Sequence, residues 1–495
     1  GKKAQLKSAI KTERSQKAIK ALKYILVIAQ AAASILFVFS LLSLGIIDIK
    51  ISLLLIVTLI GLEALTVIKL IKKSTTPLST QIICALISLA TIIASFVAFR
   101  YTDAANAFLS KITSGDTETK EYSVLTLQKS DYNNIEDLKS QKIGLMKIDP
   151  NATKAEETLQ QTINFEPIFY DGVDELTSNL QKSRIHAVVL ESDRYRALEE
   201  DEHELTKDTK IIYTFTIDLK KETEAPNIDI AKEPFTVLIS GSDSRTGVKT
   251  TARSDVNIVA AVNPKEGKIL LVSIPRDAYV QLHGTTGLKD KLTHAGIYGI
   301  NMSKQTIEDL LGIKIDYTLK VSFDTVVKVV DQLDGIEIDS DQAMRLPVEG
   351  KPKYCTYTVG KQTVDGDCAL RFARERKSYK TGDRHRGENQ QQVIASIITK
   401  LSKDKSYVMK LPEILEIAGD SFETSIPRDN ITALIRLQLN EGKTWTTENS
   451  NIDGTGSMQP TYSMGANLPL YVMYPNQETI DKAHQKLLEY LEITE

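Results

Sequence analysis

Residues 235–277 read FTVLISGSDSRTGVKTTARSDVNIVAAVNPKEGKILLVSIPRD, and this stretch decides the fold class. FTVLISG and VNIVAAV are short apolar, β-branched runs bounded by glycine and polar residues, the signature of strands. NPKEGK supplies turn residues between VNIVAAV and KILLVSI, so those two runs form a hairpin. Helical periods follow. KQTIEDLLG and FDTVVKVVDQLDG both end in glycine, as helices do where the chain must turn left-handed, and Asp383 is placed to cap a long helix from about Arg384. Strands interleaved with helices predict an α/β domain, a central mixed sheet flanked by helices, over residues 231–495.

Upstream, from Tyr122 to Leu219, KIGLM, ATKAEETLQQTI, EPIFYD, VDELTSNLQKSRI and HAVVLES alternate β-rich and helical patterns. They predict a small accessory α/β domain, which with its linker occupies residues 101–230. The linker is expected in the polar, proline-containing stretch Lys220 to Pro234, and the acidic run Glu199 to Glu204 reads as a solvated helix face or loop. Further upstream, Tyr24–Ile47, Ile51–Ile68 and Gln81–Phe99 are each about long enough to cross a hydrocarbon core of roughly 30 Å. Residues 24–100 are therefore expected to be three transmembrane helices behind a basic cytoplasmic stretch, 1–23. Lysines and arginines crowd that stretch and the connector at Lys69, Lys72 and Lys73, which puts the N-terminus inside and everything after Arg100 outside. Glu63 lies about two turns from Lys69 and is expected to reach the interface.

The net charge of −3 supplies no general field for nucleic acid, so any anion site must arise from local clustering. No glycine-rich nucleotide loop, serine-hydrolase elbow or HExxH pair occurs, and the histidines lack metal-ligand spacing. Arginine and aspartate stand out instead. Asp243 and Arg245 follow the first strand, Arg253 and Asp255 open the second, and Arg276 with Asp277 ends the third. Arg374 and Arg376 lie in FARER; Arg384, Arg386 and Gln390 lie in DRHRGENQ, with Arg386 and Gln390 one turn apart beside a helix N-terminus that favours phosphate. Arginine forks bind phosphate oxygens in pairs, and neighbouring carboxylates hold Mg²⁺ or Mn²⁺ against the same oxygens, so together these groups fit a pyrophosphate. Any one alone is a common surface charge or turn residue. Of the cysteines, Cys84 lies in the third span, while Cys355 and Cys368 fall in the exported part and are expected to form a disulfide.

In VLISGSDSR, ARSDVNIVAAV, LLVSIPRDAYV, KLTHAGIYG, VVKVVDQLDGIEID, DGDCALRFARER and GDRHRGENQQQVI the chain resembles the LytR-CpsA-Psr (LCP) family, in particular its streptococcal capsule-attaching, CpsA-like members. The resemblance covers roughly Phe235 to Tyr490. It departs at Gly299, which is followed by Ile300 where the family usually has paired glycines, and the Cys355 and Cys368 pair is not a family-wide feature. The resemblance implies that Asp243 and Asp255 hold the metal, Mg²⁺ or Mn²⁺. It further implies that Arg253, Arg276, Arg374, Arg376, Arg386 and Gln390 bind the pyrophosphate, with Arg253, Arg276, Arg374 and Arg376 carrying the catalysis. A lipid tail would enter an apolar pocket for which Val326, Val327 and Val330 are candidate walls, core packing being the alternative for each.

The implied activity is a membrane-anchored, metal-dependent phosphotransferase that attaches a polyprenyl-pyrophosphate-linked glycopolymer, here capsular polysaccharide, to peptidoglycan, with pyrophosphatase chemistry as a side activity. The implied partners are the polyprenyl (pyro)phosphate lipid, the lipid-linked polysaccharide, peptidoglycan, the membrane and capsule-assembly proteins, but no nucleic acid. The alternative is a non-catalytic polyprenyl-phosphate-binding sensor or scaffold that regulates capsule assembly. A transcriptional regulator is disfavoured, because no helix-turn-helix or basic groove-binding helix is apparent.

Overall fold

The computed structural model describes residues 2–72, 76–113, 117–220, 226, 228–242, 253–403, 407 and 422–493. Asp243 and Arg245 lie outside these residues. The described residues divide into two compact units: 2–111 and 428–441 form one, and the remainder forms the other.

The first unit is built on helices α1 (Lys2–Leu44), α2 (Ile49–Thr66) and α3 (Leu78–Thr113). Glu13–Leu44, Ile49–Ile71 and Leu78–Ala107 are long and apolar enough to cross a membrane, yet no more than 22% of their most apolar windows is buried within the protein. Helices apolar on all sides with so little protein around them are suited to lipid. Polar groups are turned inward: the Thr66 hydroxyl donates to Gln30 at 3.3 Å. A helix from far downstream, Arg428–Glu441, clusters with this unit although the sequence reading assigned it to the large domain. Arg428 donates to the Ser43 carbonyl at 2.9 Å and to Asn106, and Arg436 donates to the Gly45 carbonyl.

Among the described residues the second unit contains two large sheets besides several two-stranded ribbons. In the smaller, β1 (Thr117–Leu127), β2 (Lys142–Met146), β3 (Glu166–Tyr170), β4 (Ala187–Glu191) and β5 (Thr209–Lys220) lie in the order β3-β2-β4-β1-β5. Strands β3, β2 and β4 are parallel, joined through helices as the alternating pattern predicts. β4 is buried along its whole length, which explains its unbroken apolar run AVVL. Helices α4 (Ala152–Gln160) and α5 (Val173–Gln181) bury residues three and four apart, Val173, Leu176, Thr177 and Leu180 on α5. Helix α6 (Ser192–Glu200) follows β4 directly.

At the junction of β4 and α6 sits a desolvated ion cluster. Glu191 accepts from Lys120 at 2.9 Å and from Arg194 Nε at 2.5 Å, and the side chains of all three are at most 1% exposed. Burial works against the Glu191 carboxylate, but Arg194 and Lys120 outweigh it and hold the pKa down at about 2.

The larger sheet has six strands. Its members are β6 (Phe235–Ser242), β7 (Val256–Asn263), β8 (Lys268–Ser273), β9 (Tyr317–Ser322), β10 (Phe422–Thr424) and β11 (Thr446–Asn451), in the order β10-β9-β6-β7-β8-β11. The expected β7–β8 hairpin is present, β9 runs parallel to β6, and β11 runs parallel to β8, so the sheet is mixed. Period-2 alternation divides its side chains. Leu238, Val259, Leu270 and Val272 face helices α7 (Ile300–Leu311) and, at the chain's end, Gln477–Tyr490. Ile258, Ala260 and Leu271 face Ile394 and Ile398 of the long helix Asp383–Lys403. The result is a helix–sheet–helix sandwich. Val330, on α8 (Phe323–Gln332), is fully buried, so it belongs to the core rather than to a pocket wall; Val326 and Val327 are half-buried. Cys355 and Cys368 are bonded, with Cα atoms 5.4 Å apart, tying the Met344–Pro347/Tyr354–Tyr357 ribbon to helix α9 (Gly366–Arg374). A cross-link closing so short a loop stabilises by about 3 kcal/mol on the chain-entropy account.

The Glu191 cluster gives a direct test. Glu191→Gln leaves two buried cations short of their counter-charge and should lower unfolding free energy by about 3–5 kcal/mol at neutral pH in a denaturant titration. Because Glu191's folded pKa lies below its ordinary 4.5, its contribution is complete above that value and disappears as pH falls through about 2. The variant should therefore show a shallower acid-induced loss of stability than wild type across that window.

Candidate functional site

The strand register brings Arg253, Asp255, Arg276 and Asp277 to one end of the six-stranded sheet. Gly241 pairs with Val256, Ser322 with Ser242, and Ser273 with Ile258 and Asn451. The C-terminal ends of β6, β8, β9 and β11 and the beginning of β7 thus share an edge, the usual location of ligand sites in α/β sheets.

Arg253 and Asp255 flank a pinned residue. Ser254 is buried; its hydroxyl meets Ser240 at 2.6 Å and Asn257 at 2.7 Å, while its backbone N–H donates to Thr293. The Asp255 N–H donates to the Gly241 carbonyl. Arg276 Nη1 reaches Asp255 Oδ1 at 2.5 Å, joining the second and third clusters. The Arg276 carbonyl accepts from Thr293, and Asp277 pairs with Lys291 at 2.7 Å with both side chains largely buried. Three segments far apart in sequence, RSD, SIPRD and KLTHAG, are therefore stitched together around Arg276. Arg253 lies in the field of Asp255, Arg276, Asp277 and Asp193, and burial lowers its pKa from the ordinary arginine value. It remains a cation at any physiological pH.

The FARER arginines arrive at the end of α9. The Arg374 guanidinium lies 5.1 Å from the Phe323 ring, and Phe323 packs beside Gly241 at the end of β6. Glu375 is 2% exposed; it pairs with Arg371 at 2.6 Å and accepts the Ser378 N–H and hydroxyl. Burial opposes its ionisation, but those donors win and hold its pKa below the usual value. A carboxylate anchored in this way fixes the chain between half-buried Arg374 and exposed Arg376.

Helix α10 (Asp383–Lys403) begins at Asp383, one residue earlier than expected. Gly387 lets it approach β8 closely: a Cβ there would lie 2.6 Å from the Ser273 hydroxyl oxygen. Buried Gln391 donates to the carbonyls of Leu271 and Ser450, both at 2.8 Å, and Asn389 donates to the Phe372 carbonyl at 3.1 Å. These contacts seat the helix's first two turns, with half-buried Arg386 and Gln390, against the strand that leads to Arg276. Arg384 is committed elsewhere, to Asp453 at 2.7 Å. Gly299, at φ +108°, starts α7 in a conformation reserved for glycine, which is how the KLTHAGIYGI loop accommodates its single glycine there.

The sequence reading missed the accessory domain's contribution. Asp201, in the acidic run expected to be solvated, is largely enclosed: its side chain is 16% exposed and faces buried His294 at 4.0 Å. Burial raises its pKa. Nothing in the local pattern of Glu199–Glu204 distinguishes this residue from its neighbours.

Asp255 is the described member of the expected metal pair, since Asp243 lies outside the described residues. Among those residues no cluster of three or more carboxylate, imidazole or thiol groups could hold a metal. One hard oxygen donor is within what Mg²⁺ accepts, since that ion takes one or two carboxylates and completes its shell with phosphate oxygens and water.

Fold and site together define an α/β domain with an arginine-rich sheet edge that follows three apolar helices. The chain belongs to the LytR_cpsA_psr family, whose match spans residues 194–482. A relative from Halalkalibacterium halodurans, named polyisoprenyl-teichoic acid–peptidoglycan teichoic acid transferase TagU, is 33% identical over 267 residues, 53% of this chain and 81% of the relative. TagU of Bacillus subtilis is 35% identical over 219 residues, 44% of this chain and 68% of the relative. Among solved structures, B. subtilis TagV aligns with 29% identity over 53% of this chain and 99% of that one, at a TM-score of 0.44.

The tight approach of α10 to β8 is testable. Gly387→Ala should cost about 1–3 kcal/mol through overpacking, and Ser273→Ala in the same chain should recover part of that loss in thermal unfolding.

Proposed function

We propose that this chain transfers a glycopolymer from a polyprenyl pyrophosphate carrier to peptidoglycan, with capsular polysaccharide as the polymer. The observation that carries the reading is the Arg253–Asp255–Arg276 cluster at the sheet edge, with Arg374 and Arg386 brought alongside by Phe323 and Gly387. Its family relatives bear names for the same class of transfer. The three-span, accessory-domain layout resembles the capsule-attaching branch, which supports that choice of polymer.

In this reading the pyrophosphate lies across the arginines. A sugar hydroxyl of peptidoglycan attacks the phosphorus that carries the glycopolymer, a new P–O bond forms, and the bond to the polyprenyl phosphate breaks. The leaving polyprenyl phosphate takes the electron pair, and the attacking hydroxyl releases its proton to solvent. Arg253, Arg276, Arg374, Arg376 and Arg386 stabilise the charge spread over the transferring and leaving groups, and Gln390 donates to a phosphate oxygen. Asp255, with Asp243, would hold Mg²⁺ or Mn²⁺, which adds positive charge at the same oxygens. The lysines and arginines of residues 1–23 support a topology in which that stretch is cytoplasmic and everything after Arg100 is outside, where carrier and wall meet.

The test uses the full chain in lipid nanodiscs and follows release of polyprenyl phosphate from a lipid-linked pyrophosphate donor. Release should require Mg²⁺ or Mn²⁺, stop with chelator, and fall about 10²–10³-fold in Arg276→Ala. If wild type binds the donor but releases nothing even with peptidoglycan present, the chain is a binding sensor and the transferase reading is wrong.

A further inference from the structure

We propose that the accessory domain is part of the transfer machinery: its helix α6 positions the anion site, with Asp201 acting through His294 on the segment that holds Arg276. This inference rests on the phosphotransfer reading above.

The geometry forms a closed circuit. His294 is fully buried, and its Nδ1 lies 2.6 Å from Asp290 Oδ1. Its Nε2 faces Asp201 Oδ2 across 4.0 Å, and neither of those two buried atoms makes a hydrogen bond among the described residues. Asp290 Oδ2 accepts from the Ser463 N–H at 2.8 Å, and the Ser463 carbonyl accepts from Arg194 at 3.1 Å. Arg194 belongs to α6, its guanidinium lies 5.0 Å from the Tyr298 ring, and Glu191 holds it from behind. α6 thus meets the same loop at both ends: Arg194, Ser463 and Asp290 tie it at one, and at the other Asp201, just past the helix, faces His294 across 4.0 Å.

That loop is the one that holds the site. Thr293, next to His294, donates to the Arg276 carbonyl at 2.9 Å and accepts from the Ser254 N–H at 3.2 Å, so it bridges SIPRD and RSD. Lys291, three residues before His294, pairs with Asp277. Charges also alternate through the site. Asp193 on α6 bears on Arg253, Asp255 pairs with Arg276, Asp277 pairs with Lys291, and Asp201 closes the series at His294. An interdomain contact serving only as glue has no need to engage the single turn that bridges both catalytic segments. None of these accessory residues reaches a reacting atom; they act by fixing where Arg276 and Arg253 point. A misplacement on the order of 1 Å can cost about 100-fold in rate.

The experiment compares wild type, Asp201→Asn, Asp201→Glu, His294→Gln and Asp201→Asn/His294→Gln as full chains in nanodiscs. It reads polyprenyl phosphate release and amide hydrogen exchange over residues 273–299. Asp201→Asn should reduce kcat about 10- to 100-fold with little change in KM for the donor, and should speed exchange at Arg276–Asp277 and Leu292–Ala295. Asp201→Glu keeps the charge and lengthens the side chain by one methylene across the 4.0 Å gap to His294, so it should retain most of the turnover. The double variant should be no slower than His294→Gln alone. Wild-type turnover and exchange in Asp201→Asn would overturn the proposal, as would losses that multiply in the double variant. Faster exchange without any change in kcat would reduce the contact to structural glue and overturn it too. If wild type itself releases no polyprenyl phosphate, the transferase reading fails separately and the exchange arm decides the clamp: faster exchange in Asp201→Asn supports it, unchanged exchange sinks it.

Discussion

The ion pair between Arg276 and Asp255 is the contact on which the site's arrangement depends. Several arginines gathered at one sheet edge repel each other and resist losing water, so the protein must place carboxylates among them without neutralising the cluster. It does so by alternation. Asp255 answers Arg276 and lies in the field of Arg253, Asp277 is taken up by Lys291, and Glu375 is absorbed by Arg371 and Ser378.

The six-stranded sheet makes the alternation possible because its register is specified by burial on both faces. A slip of one residue in β7 would exchange Ile258 and Ala260 for Val259 and Ala261, moving each set to the wrong core. With that register locked, Arg253 and Asp255 cannot avoid the ends of β6 and β8. Helix α10 then relies on close packing at Gly387 and on the Gln391 and Asn389 side chains, which satisfy carbonyls of β8, β11 and α9 together. The neighbouring Gln390, singled out as a ligand, stays half-buried by the site, while Gln391 holds the helix in place.

The accessory domain invests in charge where an apolar core would be simpler. Lys120, Glu191 and Arg194 are almost fully removed from water, an arrangement that is weak evidence for stability but a strong constraint on geometry, because each group must find its partners or remain costly. Arg194 extends that constraint to the Ser463 carbonyl and the Tyr298 ring. The resulting rigidity fits a role in positioning.

Local periodicity made much of this legible. Alternation in VNIVAAV and KILLVSI announced a hairpin, the spacing in VDELTSNLQ announced α5, three long apolar runs announced the membrane helices, and arginines after strands announced a charged sheet edge. Such features need only neighbours within a turn or a strand pair, so the chain carries them openly. What the sequence by itself determined is the element types, the apolar anchor and the residue kinds available to hold phosphate. Only the tertiary structure decided that Asp201 is enclosed rather than solvated, that Val330 is core, that Gln391 rather than Gln390 anchors α10, and that the helix Arg428–Glu441 joins the membrane helices. The physical reason is common to all four: burial and partnership of a side chain depend on surfaces contributed from far along the chain, and no local pattern encodes which distant backbone carbonyl, ring or carboxylate will meet it.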